Sequence, residues 1–204
     1  MNSVFIGGSR MISKLNEEIK IRLKNIISKN FAVLIGDANG SDKAVQKFFL
    51  EQRYRRVSVY CSGQECRNNL GAWETVHVNV PRKTKDREFY AFKDTQMAAD
   101  CDYGFMLWDA ESSGTLNNVL NMVGSRKHCL LYVAPRRELV PIKSLTDLEN
   151  ITRALPDEVL IDLDKKIGFR ERLAELGAAS ERLLVGFEVR EEPTQSESQT
   201  TFSF

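Results

Sequence analysis

Leu34-Ile35-Gly36-Asp37-Ala38-Asn39-Gly40-Ser41-Asp42-Lys43-Ala44-Val45 decides how the chain is read. An apolar run that starts at Phe31 stops at Ile35 and gives way to glycine and short polar side chains. Apolar residues then return with wider spacing, at Val45, Phe48 and Phe49. A short continuous apolar run closed by Gly and Asp has the form of a buried strand, and the later spacing has the form of a helix with one buried face. The stretch is therefore a strand end, a loop and a helix start, with Ser41 or Asp42 as the expected N-cap.

The same unit recurs along the chain. Strands are predicted at residues 3–6, 31–35, 56–61, 76–80, 103–108 and 128–133, most of them rich in Val, Ile, Leu or aromatic residues and ending near Gly, Pro, Asp or Ser. Between the first two, Ile12, Leu15, Ile19, Leu23, Ile26 and Ile27 share one helical face. A further helix is predicted across 86–99, with Phe89, Phe92 and Met97 in the core. Another opens at Gly114-Thr115 and carries Leu116, Val119, Leu120 and Val123. Strands alternating with helices of this length specify βαβ units, and so a Rossmann-like α/β fold with a mostly parallel sheet and helices on both faces. After Pro135 the pattern reads as helices only: one through Leu145, Leu148, Ile151 and Leu155, a shorter piece at 159–167 and another at 169–184. The expected organisation is a Rossmann-like domain at 1–135, a C-terminal helical extension at 136–190 and a polar, acidic, disordered tail at 191–204.

Composition narrows the function classes. The chain has 204 residues, 42% hydrophobic and 28% charged, with a formal net charge of +1. These values are ordinary for a globular protein and give no field for coating nucleic acid. The basic clusters Arg53-Tyr54-Arg55-Arg56 and Arg82-Lys83-Thr84-Lys85 read as solvated surface. No basic leader precedes a long apolar run, and no stretch approaches the roughly 20 apolar residues that span a bilayer, so a cytoplasmic protein without a membrane partner is expected. Cys61, Cys66, Cys101 and Cys129 are expected as free, buried thiols, and the histidines, His77 and His128, fall in strands. Neither a metal site, nor a Ser-His-Asp arrangement, nor a bound cofactor is expected.

Chemistry should lie where strands end and helices begin, because open α/β sheets bind ligands outside the carboxyl ends of their strands. Three such loops stand out: Gly7-Gly8-Ser9-Arg10, the opening stretch, and Asp109-Ala110-Glu111-Ser112-Ser113-Gly114-Thr115. Each leads into a helix whose first N–H groups and dipole attract an anion, and glycine lets a ligand approach the backbone. Arg10 could fork onto a phosphate and Lys43 could add a point charge, whereas Asp37 and Asp109 would sooner face ribose hydroxyls, a base edge or water. The spacings match neither GxGxxG nor GxxxxGK[ST]. One such loop alone is read as a tight turn; three on one sheet edge make an anion-binding cleft with Gly36 and Gly40 shaping one wall.

Taken together, Ile6-Gly7-Gly8-Ser9-Arg10, Gly36 to Lys43, and Trp108-Asp109 followed by Ser113-Gly114-Thr115 resemble the SLOG superfamily, which includes DprA, the Lonely Guy phosphoribohydrolases and small bacterial proteins presumed to bind nucleotides. Cys66-Arg67-Asn68-Asn69-Leu70-Gly71-Ala72-Trp73 and Lys93-Asp94-Thr95-Gln96-Met97-Ala98 also resemble the small group, and the likeness covers about residues 3–135. The resemblance implies a nucleotide or nucleotide-derived ligand held by Gly7, Gly8, Ser9, Arg10, Gly36, Asp37, Ala38, Asn39, Gly40, Asp42, Lys43, Asp109, Ser113, Gly114 and Thr115. Trp73 is expected to stack on a base and Arg67 to meet a phosphate, unless this segment merely plugs the sheet edge.

The resemblance also supplies a test for catalysis. Lonely Guy enzymes and the nucleoside deoxyribosyltransferases carry Gly-Thr-x-x-Glu, and its glutamate works at the glycosidic bond or ribose. Here the pattern reads Gly114-Thr115-Leu116-Asn117-Asn118, and an amide at Asn118 cannot act as nucleophile or general base. Asp37, Asp42, Asp94, Asp109 and Glu111 are the carboxylates that could substitute. The leading expectation is a nucleotide-binding sensor in stress or phage-defence signalling, followed by an enzyme acting on the N-glycosidic bond of a nucleotide. A DprA-like single-strand DNA binder is least expected at this net charge. By analogy with related folds, the C-terminal helices could pair two copies of the chain.

Overall fold

The computed structural model describes residues 2–81 and 86–188. The basic cluster at 82–85 and the tail from 191 lie outside the described residues. Among the described residues, strands and α-helices follow in this order: β1 (Ser3–Gly8), α1 (Glu17–Ser28), β2 (Ala32–Gly36), α2 (Ser41–Glu51), β3 (Val57–Ser62), β4 (Glu74–Val78), α3 (Arg87–Asp100), β5 (Tyr103–Trp108), α4 (Ser113–Gly124), β6 (Cys129–Val133), β7 (Glu138–Ile142), α5 (Leu145–Thr152), α6 (Asp157–Ile167) and α7 (Phe169–Glu188). The strands form one sheet in the order β4-β3-β2-β1-β5-β6-β7. Every pair is parallel except β6 with β7.

The central strands are apolar along their length because both faces are covered. Val4 and Ile6 of β1 face the layer of α1 and α2, where Ile19, Leu23, Val45 and Phe49 are buried. Phe5 points the other way, into the layer of α3 and α4 with Met97, Leu116 and Leu120. This alternation is the period-2 pleat applied to a strand with two dry faces. Of the residues expected to fill the α3 face, Phe89 and Met97 are buried, while Phe92 is exposed, one position off the apolar stripe.

The C-terminal region departs from the helices-only expectation. Residues 138–142 form β7, an antiparallel edge strand paired with β6, so the sheet runs past residue 135. Pro141 lacks an N–H, which an edge strand tolerates on its unpaired side. The helices beyond it join the main core: Leu148, Ile151, Leu163 and Phe169 are buried with α4. Arg172 of α7 donates to Asn117 and, at 2.8 Å, to Asn121 of α4. No helix among the described residues is long and apolar enough to cross a membrane.

Candidate functional site

The strand order reverses direction between β1 and β5, whose chains leave the sheet to opposite faces, so a crevice must open where their carboxyl ends part. Ser9 ties the three loops together there. Its N–H donates to Leu107 O (2.8 Å), its carbonyl accepts from Ser41 N–H (3.1 Å), and its hydroxyl donates to the Asp109 carboxylate. Asp109 also accepts from the N–H groups of Glu111 (3.2 Å) and Ser112 (2.7 Å), so it shapes the entry to α4. Two glycines are sterically required. A Cβ on Gly8 would overlap the Leu107 carbonyl oxygen across the β1–β5 seam, and one on Gly40 would overlap the backbone of Arg10. Gly40, with φ +82°, is itself the N-cap of α2, in place of the expected Ser41 or Asp42.

A cleft of about 1010 Å³ occupies the crevice. Of the residues expected at a ligand, Gly7, Gly8, Ser9, Arg10, Ala38, Asp42, Asp109, Ser113, Gly114 and Thr115 line it, as does Asn118. Gly36, Asp37, Asn39, Gly40, Lys43 and Trp73 do not. Lys43 and Asn39 face solvent. Trp73 is carried away by topology. β3 and β4 are parallel, so their connection must return to the opposite sheet edge, where Trp73 Nε1 donates to Tyr54 O (2.9 Å) and its ring packs under α2. The plug, not the base-stacking platform, is its role in the fold.

Asp37 is just as fully occupied. It is 1% exposed and accepts from Arg67 three times: from the backbone N–H (3.0 Å), Nε (3.1 Å) and an Nη (2.5 Å). Burial works against its ionisation, but these bonds and the guanidinium charge outweigh it and hold the carboxyl below the usual range. The Arg67 guanidinium lies 4.1 Å from the centre of the Tyr90 ring, and both residues line the cleft. Arg67 thus meets a carboxylate and an aromatic ring rather than standing free for a phosphate.

The floor of the cleft holds a charge cluster that sequence reading missed. Lys93 of α3 is 3% exposed and pairs with the Asp94 carboxylate. Asp42 lies on its other side: a Cβ on Gly36 would be driven into the Asp42 carboxylate and stand 2.7 Å from Lys93 Nζ. That crowding, more than loop flexibility, explains the glycine. Burial pulls the Lys93 ammonium down, but Asp94 and Asp42 outweigh it and leave its pKa raised. Burial pushes the Asp42 carboxyl up to about 6, with Lys93 pulling the other way. Beside the cluster, Asn118 Nδ2 lies 3.5 Å from Asp94 Oδ2, while its buried Oδ1 has no hydrogen-bond partner among the described residues. A buried carbonyl left unpaired is costly, and the residue that carries it lines the cleft. A Cβ on Gly114 would meet nothing within 4 Å, so the first turn of α4 is open to a ligand.

Two more features were not anticipated. α6 brings Asp162, Lys166 and Ile167 to the cleft, so the C-terminal helices complete its rim. Cys61 and Cys66, expected as free thiols, form a disulfide, while Cys101 and Cys129 are free and buried. Asp37 and the two sulfurs are the grouping of metal-ligand atoms among the described residues, all within 4.8 Å of one another. Because Asp37 is committed to Arg67 and the sulfurs to each other, the trio offers no open donor set. No protein-family model and no curated protein matches the chain.

Proposed function

We propose that the chain binds a nucleotide or nucleotide-derived ligand in this cleft and acts as a sensor or signalling module of the SLOG type. The observation that carries the reading is the switch-point cleft, which presents the open first turn of α4 at Gly114 and Thr115 beside the unpartnered Asn118 carbonyl. The turn, with Gly7, Gly8 and Arg10 opposite, suits a phosphate. Asn118 and Asp94 suit the hydroxyls of a ribose, an uncharged partner that satisfies a carbonyl and a carboxylate together. The cleft has the volume of a small-molecule site. Purification followed by native and then denaturing mass spectrometry tests the reading. Release of an intact nucleotide on denaturation supports it, and release of a small molecule lacking both phosphate and ribose opposes it.

A second reading, hydrolysis or transfer at the N-glycosidic bond, is favoured by one observation. Asp94 faces the cleft next to Asn118, the position where the resembled enzymes carry glutamate, and it is a carboxylate on α3 not held by loop backbone. It could stabilise an oxocarbenium-like transition state in place of that glutamate. Chromatography of nucleotide incubations for free base separates the two readings. Release of base that Asp94→Asn abolishes supports the enzyme; none from any nucleotide that binds supports the sensor.

A further inference from the structure

The residues 61–70 form a strap whose two ends have different tasks. Cys61 is fully buried in β3, and Cys66 follows after a turn through Gly63, whose φ is +75° and whose N–H donates to Val78 O (2.9 Å). Beyond Cys66 the strap lies along the β2–α2 loop. Arg67 is bound to Asp37 as described. Asn68 Nδ2 donates to Asp37 O (2.7 Å) and Asn39 Oδ1 (3.1 Å), and Gln46 holds the backbone of Asn68 and Leu70 (3.2 and 3.0 Å). Arg67 and Tyr90 present the far side of this assembly to the cleft. The Cys61–Cys66 bond therefore sits one residue from a wall of the cleft, with the Asp37 carboxylate within 4.8 Å of both sulfurs.

We propose that Cys61–Cys66 is a reversible thiol–disulfide site that controls the position of the Arg67 wall; the effect on ligand binding rests on the function proposed above. The Cα atoms are 5.2 Å apart, within the range a disulfide spans. Bonded sulfurs stand about 2.05 Å apart, whereas unbonded atoms of that size need roughly 3.5–4 Å. Cys61 cannot give way, because β3 is paired on both sides by β2 and β4. Two thiols must therefore make room by moving the strap. Cys66, half-buried, moves outward, and with it the Arg67 N–H that donates to Asp37.

The reactant is a dithiol or a low-molecular-weight disulfide. One thiolate of a dithiol attacks Cys66 Sγ, breaking the S–S bond and expelling Cys61 as thiolate. The second thiolate closes the reductant's own disulfide and expels Cys66. Two protons from solvent complete the two protein thiols. Oxidation runs the same exchange in reverse, with a small disulfide accepting the two electrons. Disulfides in reducing compartments are characteristically of this transient, sensing kind.

The test uses the chain oxidised with glutathione disulfide and reduced with dithiothreitol. After denaturation without reductant, alkylation should mark only Cys101 and Cys129 in the oxidised sample and all four cysteines in the reduced one. Hydrogen exchange across 62–73 should be at least about tenfold faster in the reduced chain, and Cys66→Ser should match the reduced chain and ignore dithiothreitol. Adenosine monophosphate, titrated into both forms, should bind the reduced form more weakly. Four alkylated cysteines in the oxidised chain, or equal exchange in the two forms, would overturn the proposal. Failure of adenosine monophosphate to bind either form, with alkylation and exchange still responding, would count against the nucleotide reading and leave the thiol site standing.

Discussion

Replacing Asp42 by asparagine should stabilise the protein, and only above acid pH. Asp42 is 5% exposed, and its Oδ2 accepts the Ala38 N–H (3.1 Å), an acceptor role that the asparagine carbonyl oxygen can keep. The carboxyl is displaced from an ordinary 3.8 up to about 6, with burial as the largest cause and the attraction of Lys93 already included. Between those values the folded chain holds a proton that the unfolded chain has released. Stability from this site is therefore full below 3.8, falls as pH rises, and is lost above about 6. The displacement from 3.8 to about 6 corresponds to about 3 kcal/mol. Asp42→Asn should match the wild type near pH 4 and exceed it by up to that amount at pH 7.5, in guanidinium unfolding across this range. A stability difference that stays constant with pH, or a variant less stable at pH 7.5, would refute the reasoning.

Gly40→Ala must place a side chain at φ +82° and against the Arg10 backbone, so it should lose about 3 kcal/mol of unfolding free energy. Arg67→Ala leaves Asp37 buried without its partner and should cost about 3 kcal/mol; Arg67→Lys, which cannot reproduce the fork, should recover little of it in the same denaturation assay. Asn118→Ala removes a carbonyl without a partner among the described residues and one long, 3.5 Å bond to Asp94, so its melting temperature should stay within a few degrees of wild type while nucleotide affinity falls at least about tenfold by calorimetry.

The sheet was readable where burial is two-sided. Val4-Phe5-Ile6 and Phe105-Met106-Leu107-Trp108 are continuous apolar runs because both faces are covered, and runs of that kind mark central strands. β7 was hidden because Glu138-Leu139-Val140-Pro141-Ile142 is short and interrupted by proline, features that only an edge position excuses. That the three loops share one sheet edge follows from strand order and was legible; that Ser9 ties them together was not. The Lys93 cluster was not, because a lysine on an amphipathic helix reads as surface until two carboxylates from different elements are known to close on it. Trp73 misled for a related reason. Only five residues separate it from Arg67 in sequence, and the parallel connection turns that separation into the full length of a strand.

The central claim is that the cleft at the β1–β5 switch point holds a nucleotide against the first turn of α4. Gly114 tests it cleanly, because a side chain there meets no neighbour and glutamate is favourable in a first helical turn, so Gly114→Glu should fold as the wild type does. The decisive measurement is calorimetric titration of a panel of mono-, di- and triphosphate nucleotides and dinucleotides into both proteins. The account predicts that at least one binds the wild type with micromolar or tighter affinity and that the same one fails to bind Gly114→Glu, whose carboxylate stands where the phosphate would lie. Binding that is indifferent to Gly114→Glu, or no binding by any member of the panel, would contradict it.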